Sequence, residues 1–172
     1  MSRAFTKDEA PEDAIVVPPR APLPAGVPNY VTPRGDRLLR EEKAALVAER
    51  SRLAAASGME ETERKRQLAA VAERLAMLQE RLARTQLVDP RRQSGEAVRF
   101  GAHVVLTGSD GSERRFQIVG VDEADAAEGR VAFTSPIARA VTGKKVGDAA
   151  ELATASGTES LVVHAIRYGE EA

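Results

Sequence analysis

Three glutamates, Glu60, Glu61 and Glu63, crowd the start of a helix-favouring run just after Ser57-Gly58-Met59. Carboxylates in a helix's first turn suit its dipole and remain solvated. Arg64, Lys65 and Arg66 follow at once, a basic cluster that could face nucleic acid or simply form the wet side of a coiled coil. His103 and His164 are the only histidines. Both fall in predicted strands with no second ligand nearby, so they make a poor metal site and read as sheet residues on a half-buried or solvated face. Ser135 precedes Pro136 without a Gly-x-Ser-x-Gly context, which makes it a helix cap rather than a nucleophile. No phosphate-binding glycine loop and no paired catalytic carboxylates appear. The residues point away from an enzyme with chemistry of its own.

The elements that would position these groups begin with a helical pair. Leu68, Val71, Leu75, Leu78, Leu82 and Thr85 step by three and four, the spacing of a coiled-coil seam. Leu39, Leu46 and Leu53 repeat at seven, with Lys43 and Arg50 in the intervening seam slots. Gly58 breaks the run and supplies the left-handed residue that ends one helix. The expected result is an antiparallel hairpin with arms from Pro33 to about Ala56 and from about Glu60 to Gln86, each roughly 36–40 Å long. Thr32 caps the first arm, Pro33 fits its first position, and Val31 staples it.

On either side the pattern changes. Residues 1–29 hold six of the nine prolines, with acidic Asp8, Glu9, Glu12 and Asp13, and read as a disordered tail. A docking peptide centred on Ile15 to Val17 is the alternative. Residues 30–89 form the hairpin, 90–97 a linker and 98–172 a sheet domain. Alternation from Val98 to Leu106, a turn at Gly108 to Gly111, and strands near 113–121, 130–134, 149–153 and 160–168 predict a small, mostly antiparallel sheet. Ser135-Pro136 opens one short helix, giving an α+β class.

Composition narrows the partners. The 172 residues carry 25 basic and 26 acidic side chains, so bulk charge does not advertise non-specific nucleic-acid binding. There is no Cys, which suits a reducing cytoplasm, and no apolar run long enough for a membrane span. The seam is satisfied by hairpin closure, and Lys43 and Arg50 oppose further association, so a monomer is expected rather than a coiled-coil oligomer.

Four stretches carry a resemblance: Thr32 to Gly35, Val98 to Ala102, Phe116 to Gly120 running into Asp122 to Asp125, and Ser135 to Ala140 running on through Gly143 to Asp148. In this order they resemble the Gre family of bacterial transcription elongation factors. The resemblance implies an FKBP-like small antiparallel sheet domain gripping bacterial RNA polymerase beside its secondary channel, and a coiled coil inserted towards the active site. Nucleic acid would be met through the transcription complex, with Arg64, Lys65 and Arg66 touching RNA. It also implies that Asp122, Glu123, Ser135, Pro136, Ile137 and Arg139 pack on the polymerase's own coiled coil. The sheet domain's few aromatics, Phe100, Phe116, Phe133 and Tyr168, do not favour prolyl isomerase activity.

In the family, an Asp and a Glu at the tip help hold a second Mg²⁺ in the polymerase active centre, where water is activated to cut backtracked RNA. Here Met59 stands at the Asp position and the following Glu-Asn-Ala-x-Tyr run is absent. The hairpin is also shorter than the family's by roughly ten residues, which leaves the tip about 7–8 Å short. Two outcomes follow. Either Glu60, Glu61 or Glu63 replaces the missing pair and transcript cleavage is stimulated, with Mg²⁺ shared with the polymerase as the sole cofactor. Or the factor occupies the channel without metal and competes with authentic Gre factors.

Overall fold

The computed structural model describes residues 14–169. The acidic cluster Asp8 to Asp13 lies outside them. Two helices, α1 (Pro33–Ala55) and α2 (Glu61–Ala83), form the hairpin. Thr32 caps α1 by accepting the Gly35 N–H at 3.0 Å, and Pro33 occupies the first position, where no backbone donor is needed. The arms are 23 residues each, about 34 Å at ~1.5 Å per residue. Gly58, at φ 97°, supplies the reversal between them.

The leucine spacing places the seam. Leu39, Leu46, Val71, Leu75 and Leu78 are buried together with Val31, and Leu53 and Leu82 pack at the margins. Lys43 and Arg50 do not occupy the seam slots expected of them, because both are exposed. Half-buried Glu42 and Glu49 flank the apolar row instead and pair with Arg20 and Arg74. A carboxylate at a seam margin can take a partner from the opposite side, which two like-charged basic residues in the seam could not do for each other.

The second arm stops short of Gln86. Arg84 leaves the helix, and Thr85–Leu87 forms a strand, β2, parallel to β1 (Asn29–Val31). Asn29 donates its N–H to the Arg84 carbonyl at 2.8 Å, and Val88 donates to Val31 at 2.9 Å. The pairing satisfies the backbone where chain enters and leaves the hairpin base.

Beyond a single 3-10 turn at Pro90–Arg92 comes a five-stranded mixed sheet. Its strands are β3 (His103–Gly108), β4 (Glu113–Val119), β5 (Arg130–Ala132), β6 (Ala149–Thr154) and β7 (Gly157–Arg167), in the order β5-β4-β3-β7-β6. Every pair is antiparallel except β4–β5. The register between β3 and β7 slips at Val105/Leu106, leaving His164 as the extra residue of a bulge that curls the sheet. One face buries Val104, Leu106, Phe116, Ile118, Leu161 and Val163 against Ala138 and Val141 of α3 (Pro136–Val141).

Alternation from Val98 overestimated the first strand. Val98 and Ala102 are buried, but the chain there turns through Gly101 at φ 87°, and β3 begins only at His103. A Cβ on Gly101 would stand 2.7 Å from Pro90 Cγ, so the linker closes directly on that turn.

Leu78 has no exposed surface where it packs in the seam near the hairpin base. Leu78→Ala is expected to destabilise the hairpin by about 3 kcal/mol, since buried Leu→Ala changes lose both transfer energy and packing. Urea unfolding followed by the helical circular dichroism signal checks this.

Candidate functional site

The tip carboxylates are taken up by their own helix. Glu60 is the N-cap of α2, and its two oxygens accept the N–H groups of Thr62 at 3.0 Å and Glu63 at 2.9 Å. Those two backbone bonds, Thr62 first, hold the Glu60 carboxyl below the usual glutamate range. Glu61 pairs with Lys65 at 2.8 Å, one turn on. Glu63 accepts from Gln67 at 2.6 Å and pairs with Arg66 at 3.3 Å. Arg64 reaches back to the Ala56 carbonyl. The three glutamates therefore fan around one helical turn with local partners, which does not fit a pair of free carboxylates converging on one ion. Among the described residues no cluster of three or more His, Asp or Glu could hold a metal. Lys65 and Arg66 are likewise engaged along α2, whereas Arg64 crosses the tip to the end of α1.

The second constellation lies where the hairpin meets the sheet. Asp122 and Glu123, expected at the polymerase-facing surface, lie in this joint, Asp122 half-buried and Glu123 buried. The Glu123 side chain is only 3% exposed. It accepts the Thr32 hydroxyl proton at 2.6 Å and pairs with Arg34 at 3.3 Å. Thr32 thus caps α1 and ties that cap to the sheet domain with one side chain. Asp122 takes Arg20 on Oδ1, from Nη2 at 2.9 Å and Nε at 3.2 Å, and faces Arg81 Nη1 across Oδ2 at 3.3 Å. Burying two successive carboxylates requires cationic or hydroxyl partners for both, and the hairpin base supplies them.

Within residues 14–29, the described part of the segment read as an unpacked tail, Arg20 is packed against both domains. It forks onto both Glu42 oxygens at 2.7 and 3.0 Å while holding Asp122. These anions, Glu42 foremost, raise its already high pKa against the opposing effect of burial. Arg81 donates to the Ala21 carbonyl, and Arg84 donates to the carbonyls of Pro24 at 3.0 Å and Val27 at 2.7 Å. Ile15 and Val16 of the considered docking peptide are exposed.

Aromatic packing completes the joint. Tyr30 from β1 sits 5.9 Å from Phe100 and 5.5 Å from Phe133, ring centre to ring centre, and the two phenylalanines are 5.8 Å apart. Gly120 lets the strand come this close, because a Cβ there would stand 2.6 Å from the Tyr30 carbonyl oxygen.

The third group is α3. Ser135 is its cap, accepting the Ala138 N–H at 3.3 Å. Ile137 is half-buried on the sheet core, whereas Pro136 and Arg139 are exposed on the outer side. Of the six residues expected to face a partner, the structure leaves these two fully outward. His103 Nε2 lies 3.0 Å from the Gly169 carbonyl, and His164 is exposed at the bulge.

A hairpin on a curled α+β sheet, joined through buried carboxylates, defines the class. Residues 93–168 match the family model for the C-terminal part of transcription elongation factor GreA/GreB. The sheet domain is similar to the GreA/GreB transcription elongation factors along these residues. It is 42% identical over 96 residues to transcription elongation factor GreA of Azorhizobium caulinodans, covering 55% of this chain and 61% of that protein. To the GreA of Beijerinckia indica it is 47% identical over 88 residues, covering 51% and 56%. The matches thus span about three-fifths of those relatives' length. Among solved structures, the GreA factor homolog 1 (Gfh1) of Thermus thermophilus is 24% identical and covers 82% of this chain and 99% of its own, with a TM-score of 0.38.

Two outcomes are expected of this geometry. Glu123→Ala leaves the Thr32 hydroxyl and Arg34 without their acceptor in a buried joint, and should cost about 3 kcal/mol of stability in denaturant unfolding. The Glu60 cap should be pH-dependent. Its folded pKa lies below the unfolded value, so its contribution is complete above the ordinary glutamate range and is lost as pH falls through the depressed value. Glu60→Gln should therefore lower the hairpin's melting temperature at neutral pH and leave it unchanged in strong acid, by thermal circular dichroism.

Proposed function

We propose that this protein binds bacterial RNA polymerase at the secondary channel, through its sheet domain, and regulates elongation without delivering metal to the active centre. The observation that carries this is the state of the tip: Glu60 spends both oxygens on capping α2, and Glu61 and Glu63 are paired along the same helix. Freeing Glu60 would return two N–H groups to water and give up the cap. The short arms act in the same direction, because carboxylate–Mg²⁺ contact needs oxygens at about 2.0–2.1 Å. The protein on this reading has no catalytic residues of its own. It works as a wedge, in the same compartment as the polymerase.

Pro136 and Arg139 present the anchoring edge. Pro136 stiffens the entry to α3, and Arg139, with no ion pair among the described residues, offers a charge for a complementary acidic surface. Arg139→Glu is expected to weaken polymerase binding about tenfold, or about 1.4 kcal/mol, measured by fluorescence anisotropy with the labelled factor.

RNA cleavage in a stalled, backtracked complex tests the reading of the tip. The protein should not accelerate release of 3′ fragments and should slow an authentic Gre factor added to the same reaction. Converting Glu60, Glu61 and Glu63 together to Gln should leave that inhibition intact. Accelerated cleavage that this triple variant abolishes would reverse the assignment and make the tip a metal-holding one.

A further inference from the structure

We infer that the proline-rich segment ahead of the hairpin is an intramolecular strap that fixes the direction of the hairpin relative to the sheet domain, with Arg20 as its clasp. The argument is mechanical. The contacts around β1 gather at one place: Tyr30 among the phenylalanines, Gly120 against the Tyr30 carbonyl, and Thr32 on Glu123. A single cluster fixes where two bodies touch but resists rotation about that point poorly. Glu42 lies ten residues beyond Thr32 along α1, about 15 Å further up the arm. Arg20 bridges that position to Asp122 of the sheet domain. The clasp is therefore a second anchor, off the axis of the first.

Three features suit the segment to this task. Pro18, Pro19, Pro22, Pro24 and Pro28 restrict its backbone before it docks, so less chain entropy is lost on binding. Its carbonyls at Ala21, Pro24 and Val27 are each taken by an arginine of the second arm, Arg81 or Arg84. A guanidinium fork is also the group that can hold two carboxylates from different elements at once, which a single ammonium cannot reproduce. The direct Arg81–Asp122 pair is a weaker link, since at 3.3 Å its facing atoms make no hydrogen bond.

The absence of cysteine permits a clean measurement on the full chain. Ser57→Cys at the tip and Ser109→Cys in the β3–β4 turn, both exposed, carry spin labels whose separation is read by double electron–electron resonance. The otherwise unchanged protein should give one narrow distance distribution. Arg20→Ala should broaden it roughly twofold, as expected for domains joined by a small interface, and Arg20→Lys should fall between. At about 1 M salt, where screening acts within ~3 Å, the parent should broaden towards the Arg20→Ala profile while that variant changes little. Far-ultraviolet circular dichroism must show equal helix content in all three proteins, which separates a loosened joint from a damaged hairpin. Coincident distributions for the parent and Arg20→Ala would overturn the inference. The measurement uses the isolated chain, so its outcome is independent of polymerase binding.

Discussion

Two adjacent carboxylates, Asp122 and Glu123, are withdrawn from water at the point where the hairpin leaves the sheet, and the rest of the molecule is arranged to make that tolerable. Burial of a carboxylate is costly unless hydrogen bonds and opposite charge replace its hydration. Glu123 finds them in the first turn of α1, through Thr32 and Arg34. Asp122 finds them in Arg20 and Arg81, from the segment before the hairpin and from the end of its second arm. The segment before the hairpin and the base of each arm thus contribute partners to two consecutive side chains. The carboxylates specify how the pieces fit more than they add net stability, because an alternative orientation would strand a buried charge.

The same accounting explains the capped tip. A helix start exposes N–H groups without intrahelical partners, and Glu60 is the nearest acceptor. The family resemblance draws attention to acidic residues at this position. In their geometry each of the three carboxylates already has a partner on its own helix. What projects from the sheet domain is a leucine-seamed rod with a polar, self-neutralised end.

Much of the framework was legible because it repeats. The leucine spacing, Thr32-Pro33 and Gly58 locate both helices to within a few residues, and Ser135-Pro136 locates α3. The joint was not legible, for physical reasons that differ by residue. β1 and β2 are three residues each and pair across more than fifty positions, too short for any periodicity to announce them. Arg20 lies in a proline-rich stretch whose composition reads as tail, and its partners lie 22 and 102 positions away. Asp122 and Glu123 look like surface charge because nothing local tells a buried acid from a solvated one. Lys43 and Arg50 fall on the heptad count yet turn outward. Heptad counting alone does not weigh the cost of burying a basic side chain.

Tyr30 has a consequence beyond packing. The chain has no tryptophan and only two tyrosines. One is held against two phenylalanine rings at the joint, and the hydroxyl of the other, Tyr168, bridges the Ala97 carbonyl and the Arg99 N–H, where burial raises its pKa. Both chromophores therefore sit at seams of the sheet domain, one facing the hairpin and one closing the linker. The near-ultraviolet spectrum of this protein is in effect a built-in gauge of those two seams, and the hairpin itself is optically silent.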